Sequence, residues 1–212
     1  EEDLMRRDFT INALAVNDKE EIVDYFGGIE DLEREIIRCV GNPMERFNED
    51  ALRMMRAVRF AGQLGFTIES DTFNAIRTLK ANLERVAVER MKVEFEKMIL
   101  SPHRALAFKA FVESELYHSC PDFKEAKETL LKLGEFPLEK MTITQAWILF
   151  AYYEQLTVPQ LRKVLKDWKS SNDQISTILT GYQTLLARLE KEWDAFLAYE
   201  CPEDLAIEVE QL

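Results

Sequence analysis

Two short runs of this 212-residue chain hold the side chains that recognition chemistry needs. Near its beginning Arg6, Arg7 and Asp8 stand directly before the apolar run FTINALAV. Further on, NEDALR sets Glu49 and Asp50 ahead of Arg53. A carboxylate accepts from an exocyclic amine, and a guanidinium donates to ring nitrogens and carbonyl oxygens. Asp50 and Arg53 are three apart and neighbour each other if both lie on one helix. Held in one plane, they can read the Watson–Crick edge of cytosine or adenine. Uracil and guanine would place a carbonyl oxygen against the carboxylate. Each good bidentate contact gives about 1–3 kcal/mol of discrimination. The plainer account of the same spacing is an i,i+3 ion pair with a helix-start acid, worth a few tenths of a kcal/mol.

Arg6, Arg7 and Asp8 carry the same two readings. They are surface charge before a strand, or an acceptor for a ribose hydroxyl with arginines for phosphate or sugar. Arg56 and Arg59 continue a basic strip from Arg53, and the strip Arg6, Arg7, Arg53, Arg56 and Arg59 is expected to line one cleft. Asp24, Gly27 and Gly28 end a strand-like run, where two glycines permit either a plain turn or a hinge. Glu89, Arg90 and Glu94 open a helix. Early glutamates suit a helix N-terminus, and Arg90 and Glu94 are spaced to pair.

These residues need elements to place them. Residues 9–16 and 22–26 are strand-like about the turn-rich Asn17-Asp18-Lys19-Glu20, which predicts a hairpin. EDLEREIIRCVG then reads as a short helix running into a strand. After about residue 43 the apolar period becomes 3.6. Helices are expected over 47–64, 71–82, 88–100, 102–116, 122–133, 142–155, 158–169 and 172–190. Two shorter ones are expected in EWDAFLAYECPEDLAIEVEQL. Asp71 and Ser101 are candidate caps and Gly65 a candidate stop. Pro102, Pro121 and Pro159 fall near expected helix starts.

Composition narrows the class. The chain is 47% hydrophobic and 31% charged, which fits a globular protein with a real core. No run approaches the roughly 18 apolar residues of a membrane span. Cys39, Cys120 and Cys201 are odd in number and far apart, against a disulfide framework or zinc site and in keeping with a reducing cytoplasm. His103 and His118 stand alone, with no catalytic triad. The net charge of −12 argues against broad nucleic-acid affinity. A basic strip on an acidic protein is still compatible with phosphate contacts.

In order and spacing, RRDFTINALA, DYFGGIEDL, RFNEDALRMMRAVRFAGQLGF and ERMKVEFEK resemble the class II tRNA nucleotidyltransferases, or CCA-adding enzymes. Bacterial poly(A) polymerases belong to the same superfamily. The resemblance runs through residues 1–100; residues 101–212 resemble the family's helical body in character only. It implies a mainly α fold: a short β remnant of an α/β nucleotidyltransferase head (1–42), a helical neck (43–100) and a helical body (101–212). It also implies roles. Arg6, Arg7 and Asp8 would recognise ribose, and Glu49, Asp50 and Arg53 would act as the template for CTP or ATP. Asp24, Gly27 and Gly28 would flex between head and neck. Glu89, Arg90 and Glu94 would brace the template helix, and Arg56 and Arg59 would meet triphosphate or tRNA.

The family's glycine-rich element and Asp-x-Asp pair, whose carboxylates hold two Mg²⁺ ions, are expected upstream of RRDFT-x-NA. Glu1, Glu2 and Asp3 are consecutive and do not replace them. The chain is therefore expected to begin inside a head domain and to be inactive in transfer by itself. The expected partners are tRNA, CTP and ATP. A non-catalytic nucleotide- or tRNA-binding module is the alternative from another class. CC-adding, A-adding and poly(A)-adding activities stay open within the family. EDALR, with no proline after the Asp, and the acidic charge both lean toward tRNA-specific addition.

Overall fold

The structure is a computed structural model that describes residues 2–190 and 203–212. The short helix α1 (Glu2–Met5) leads into a 3-10 turn at Thr10–Asn12 and the hairpin β1 (Leu14–Val16) and β2 (Ile22–Asp24). The hairpin is antiparallel, with Leu14 opposite Asp24 and Val16 opposite Ile22. The expected strand over 9–16 is shortened by its own side chain. Asn12 turns back so that its Oδ1 accepts from the Phe9 amide at 3.1 Å, a local bond that competes with a ladder. Phe9 instead bridges Cys39.

The helix α2 (Gly28–Glu33) and strand β3 (Ile36–Ile37) follow, as EDLEREIIRCVG suggested. β3 pairs in parallel with β4 (Thr67–Ile68), a strand that the helical periodicity there concealed. Two residues carry too little pattern to be read as a strand, and the pairing joins segments that are distant in sequence.

The helix expected over 47–64 is two helices. α3 (Pro43–Glu49) begins on Asn42, whose side chain accepts from the Met44 amide, with proline in the first turn. It ends at Asp50, which is extended (φ −144°, ψ 103°), and α4 (Leu52–Leu64) starts anew. Gly65 closes α4 in the left-handed conformation (φ 73°), as its type suggested.

α5 (Ser70–Leu79) is capped by Glu69 and not by Asp71: the Glu69 carboxylate accepts from the Asp71 and Thr72 amides at 3.0 and 2.9 Å. Its expected last turn is a 3-10 segment, Lys80–Arg85. α6 (Val88–Ile99) matches its expected span. Ser101 caps nothing; its hydroxyl donates back to the Lys97 carbonyl of α6 at 2.6 Å, and α7 (Arg104–Glu113) begins later. The helix expected over 122–133 lies at α8 (Lys127–Glu135). Asp122 has a left-handed φ of 58°, and Phe123 is spent as a fully buried plug before the helix can start. Pro121 accordingly starts no helix; its carbonyl accepts from the Trp168 indole.

α9 (Ile143–Tyr153), α10 (Val158–Asp167) and α11 (Asn172–Leu189) lie within their expected spans. Thr142 with Gln145 and Thr157 with Gln160 form reciprocal capping boxes, and Ser171 caps α11. α12 (Glu203–Glu210) is one of the two helices expected at the end; the other, and Cys201, lie outside the described residues. Gln145, fully buried, donates to the Glu208 carbonyl at 2.9 Å and so ties α12 to the start of α9.

One hydrophobic cluster runs from Phe9 through α4 and α6 to Leu205 and Val209. Phe95 of α6 is its meeting point, with ring centroids 5.0–6.4 Å from Phe108, Phe111, Phe123, Trp147 and Trp168. Among the described residues no helix is long and apolar enough to cross a membrane. Cys39 and Cys120 are buried free thiols; burial pushes Cys39 up to about 12 and Cys120 upward as well.

Candidate functional site

Asp8 is fixed by its backbone before its side chain acts. Its carbonyl accepts from the Val40 amide at 3.1 Å, and the next amide but one, Thr10, donates to the Arg38 carbonyl at 2.9 Å. Phe9 is fully buried, edge-on to Phe60 of α4 at 5.4 Å. This lacing presents the Asp8 side chain to α4. One carboxylate oxygen accepts from Arg53 Nε at 3.0 Å and the other pairs with Arg56 Nη2 at 2.7 Å. Arg6 and Arg7 are exposed on the segment before it.

The break between α3 and α4 sets the second half of the site. The Asp50 carboxylate pairs with groups other than Arg53. Its Oδ1 accepts from the Leu52 amide at 3.1 Å, and its Oδ2 accepts from Arg90 Nη2 of α6 at 3.0 Å. The local Asp50–Arg53 ion pair that spacing suggested is therefore not made, because Asp50 lies outside the helix that carries Arg53. The expected Arg90–Glu94 pair is not made either: Arg90 reaches Asp50, and Glu94 pairs with Arg59 at 2.7 Å. Both side chains cross from α6 to the segment holding α4. Glu89 is exposed in the first turn of α6.

Arg53 is held on several sides. Its Nε donates to Asp8, and its Nη1 donates to the Arg46 carbonyl at 2.9 Å and to Glu49 Oε2 at 2.8 Å. Its Nη2 has no hydrogen-bond partner among the described residues. Burial alone would lower the Arg53 pKa, but Glu49 and Asp8 outweigh it and raise it. The hydrogen bond from Arg53, with the charge of Arg46 beside it, holds the Glu49 carboxyl below its ordinary value against a smaller effect of burial. Asp50, Glu49, Asn48, Asn82, Arg85 and Arg90 line a cleft of about 330 Å³.

The basic strip is only partly assembled. Arg53 and Arg56 converge on Asp8, but Arg59 is buried, salt-bridged to Glu94 and stacked on Phe60 with its guanidinium carbon 4.4 Å from the ring. Burial pushes its pKa down, Glu94 opposing. Arg59 thus belongs to the packing of α4 against α6 and not to an open phosphate-binding face.

Asp24 is a cap: its carboxylate accepts from the Phe26, Gly28 and Ile29 amides at 3.2, 2.9 and 2.9 Å. Burial raises its pKa, yet these bonds prevail and hold it low. Gly27 is left-handed (φ 74°), and a Cβ on Gly28 would lie 2.2 Å from the Thr10 carbonyl oxygen. His103 precedes α7 and His118 lies against Tyr117 at 4.3 Å, both apart from this site. Among the described residues no group of three or more His, Cys, Asp or Glu gathers as a metal site, so no residue here is assigned to Mg²⁺.

Sequence reasoning passed over Arg46. Its Nη1 pairs with Glu49 and its Nη2 donates to the Arg7 carbonyl at 2.9 Å. Its spacing of three from Glu49 is that of neighbours on one helix turn, but charge near a helix start is common enough to hide such a residue.

Three family models match the chain in succession. The poly A polymerase head domain matches residues 1–38, the probable RNA and SrmB-binding site of polymerase A residues 65–127, and a putative tRNA nucleotidyltransferase domain 2 residues 138–212. The CCA-adding enzyme of Enterococcus faecalis is 45% identical over 212 residues, all of this chain and 52% of that protein. That of Latilactobacillus sakei is 41% identical over 216 residues, covering 100% of this chain and 54% of its own. The chain thus spans about half the length of the curated relatives it matches. The crystal structure of the Bacillus stearothermophilus CCA-adding enzyme in complex with CTP superposes with a TM-score of 0.86 at 33% identity, over 99% of this chain and 53% of that one. With head, RNA-binding and second-domain models in order along one fold, the chain belongs to the tRNA nucleotidyltransferase family, within the superfamily shared with poly(A) polymerases.

Proposed function

We propose that the protein carrying this chain adds C, C and A to tRNA 3′ ends from CTP and ATP, with Asp50 and Arg53 choosing the base. The observation that carries this is the fixing of Arg53. Bonds to Asp8, Glu49 and the Arg46 carbonyl lock its guanidinium plane and leave Nη2 to donate, with Asp50 nearby in the chain on the rim of a cleft. Asp50 keeps acceptor capacity beside Arg90 and the Leu52 amide, since a carboxylate offers about four lone-pair sites. An exocyclic amine from cytosine or adenine suits such an acceptor; a carbonyl oxygen does not.

In this reading Asp8, with Arg6 and Arg7, receives the ribose, and Arg56 is the arginine left for phosphate. Glu89, Arg90 and Glu94 brace α4, and the Asp24-Gly27-Gly28 turn is the hinge between head (1–42) and neck (43–100), with the body (101–212) beyond. Among the described residues no carboxylates gather as a metal site, and the role given to these residues is to select and position the nucleotide. The relatives' names support the substrates: one is bound to CTP.

The test is transfer. A protein carrying this chain with a complete head is offered tRNA lacking its 3′ end and each nucleoside triphosphate in turn. Incorporation of C, C and then A is expected. Runs of A would assign poly(A) addition, and tight tRNA or nucleotide binding with no transfer would assign the non-catalytic module.

A further inference from the structure

We infer that Arg46 is a positioning residue for base selection: it sets the template arginine in register with the ribose-reading segment. The inference rests on the nucleotide-reading assignment above. Arg46 touches three parts of the site, two through its side chain and one through its carbonyl. Its Nη2 donates to the carbonyl of Arg7, immediately before Asp8. Its Nη1 pairs with Glu49 Oε2, the same oxygen that accepts from Arg53. Its own carbonyl accepts from Arg53 Nη1 at 2.9 Å and from the Asp50 amide at 3.2 Å.

The arrangement is oriented toward the site and not toward Arg46's own comfort. The side chain is only 13% exposed, and its Nε is buried without a partner while both terminal nitrogens are used. A guanidinium holds two acceptors at a fixed angle through its planar fork, which an ammonium does not. Without that fork, Glu49 keeps Arg53, and the bond from α3 to the Arg7 carbonyl is lost. Arg53 keeps its bonds to Asp8, Glu49 and the Arg46 main-chain carbonyl, but the Glu49 carboxylate it leans on is then held from one side only, and the direction of Nη2, on which base discrimination depends, is less tightly set. The fold does not depend on this: α3 keeps its Asn42 cap and Phe47 stays in the core.

Arg46→Met and Arg46→Lys in this chain test the inference through three readouts. These are the melting temperature, amide exchange at residues 6–8 and 49–53, and the ratio of CTP to UTP affinity. For Arg46→Met the expected result is near-unchanged melting, faster exchange in both segments, and a CTP:UTP ratio reduced about tenfold, a loss of the size one directed contact gives. Arg46→Lys should fall between the two. Wild-type exchange and ratio in Arg46→Met would overturn the inference, as would changes that appear only together with global unfolding. If Arg46→Met does not fold, Arg46→Lys decides on the same readouts. If the unaltered chain shows no base preference, the template reading fails separately. Amide exchange then decides whether Arg46 couples the two segments: unchanged exchange overturns the coupling, and faster exchange upholds it.

Discussion

Asp8 joins the two halves of the site. It is buried, and each of its oxygens meets an arginine of α4. Removing it leaves Arg53 and Arg56 facing each other with no shared counter-charge. Asp8→Ala should therefore cost about 2 kcal/mol in a urea melt, below the usual range for a fully buried pair because Arg56 is 37% exposed. A change under about 0.5 kcal/mol, the size of an ordinary surface substitution, would show that the pairing is incidental. At this scale the residue types were legible and their partners were not. Asp8 and Arg53 are 45 positions apart, and Asp50 and Arg90 are 40 apart, so no local spacing rule finds either pair. The spacings that were local, Asp50 with Arg53 and Arg90 with Glu94, gave the wrong partners because tertiary acceptors competed for the same groups.

Helix ends decide how the elements meet. Glu69 caps α5, and its carboxylate also lies 3.6 Å from Arg38, whose guanidinium donates to the buried Asp31 of α2. The cap thus links α5 to the hairpin region. Burial acts to raise the Glu69 pKa, but the Thr72 and Asp71 amides, and then Arg38, prevail and lower it from 4.5. Asp24, capping α2, is likewise lowered from 3.8. A carboxylate held below its unfolded value stabilises the fold above that value, and the contribution is lost as pH falls through the lower folded one. Thermal melts from pH 7 downward should show stability falling below about pH 4.5, the ordinary glutamate range. Glu69→Ala should cost about 1 kcal/mol at pH 7 and flatten the acid limb. A variant with the same acid limb as the parent would remove Glu69 from this account. Long periodic helices such as α6 and α11 were legible because their apolar period is unbroken. The break at Asp50 was not, since its cause is a single extended residue in a run whose apolar period continues.

Over the described residues, the helices of 43–100 and of 101–212 share one core. Phe95 belongs to α6, yet its ring packs on Phe108, Phe123, Trp147 and Trp168, so α6 cannot open without exposing the body. Phe95→Ala should cost about 3–5 kcal/mol, and in the unaltered chain tryptophan fluorescence and far-ultraviolet circular dichroism should melt together. Two resolved transitions would mean that 43–100 and 101–212 fold independently. The mainly α character was plain in composition and period. The continuity of the core was not, because it depends on which faces meet. The net charge of −12 gave no hint that arginines gather at Asp8 and Glu49, since a sum over 212 residues is silent about place.

The central claim is that side chains at the α3–α4 break read the base, and equilibrium binding of the four nucleoside triphosphates tests it most directly. Calorimetry on the chain should find CTP and ATP bound at least about tenfold more tightly than UTP and GTP, with the preference lost in Asp50→Ala and Arg53→Ala. Equal affinity for all four, or a preference that survives both substitutions, would contradict it.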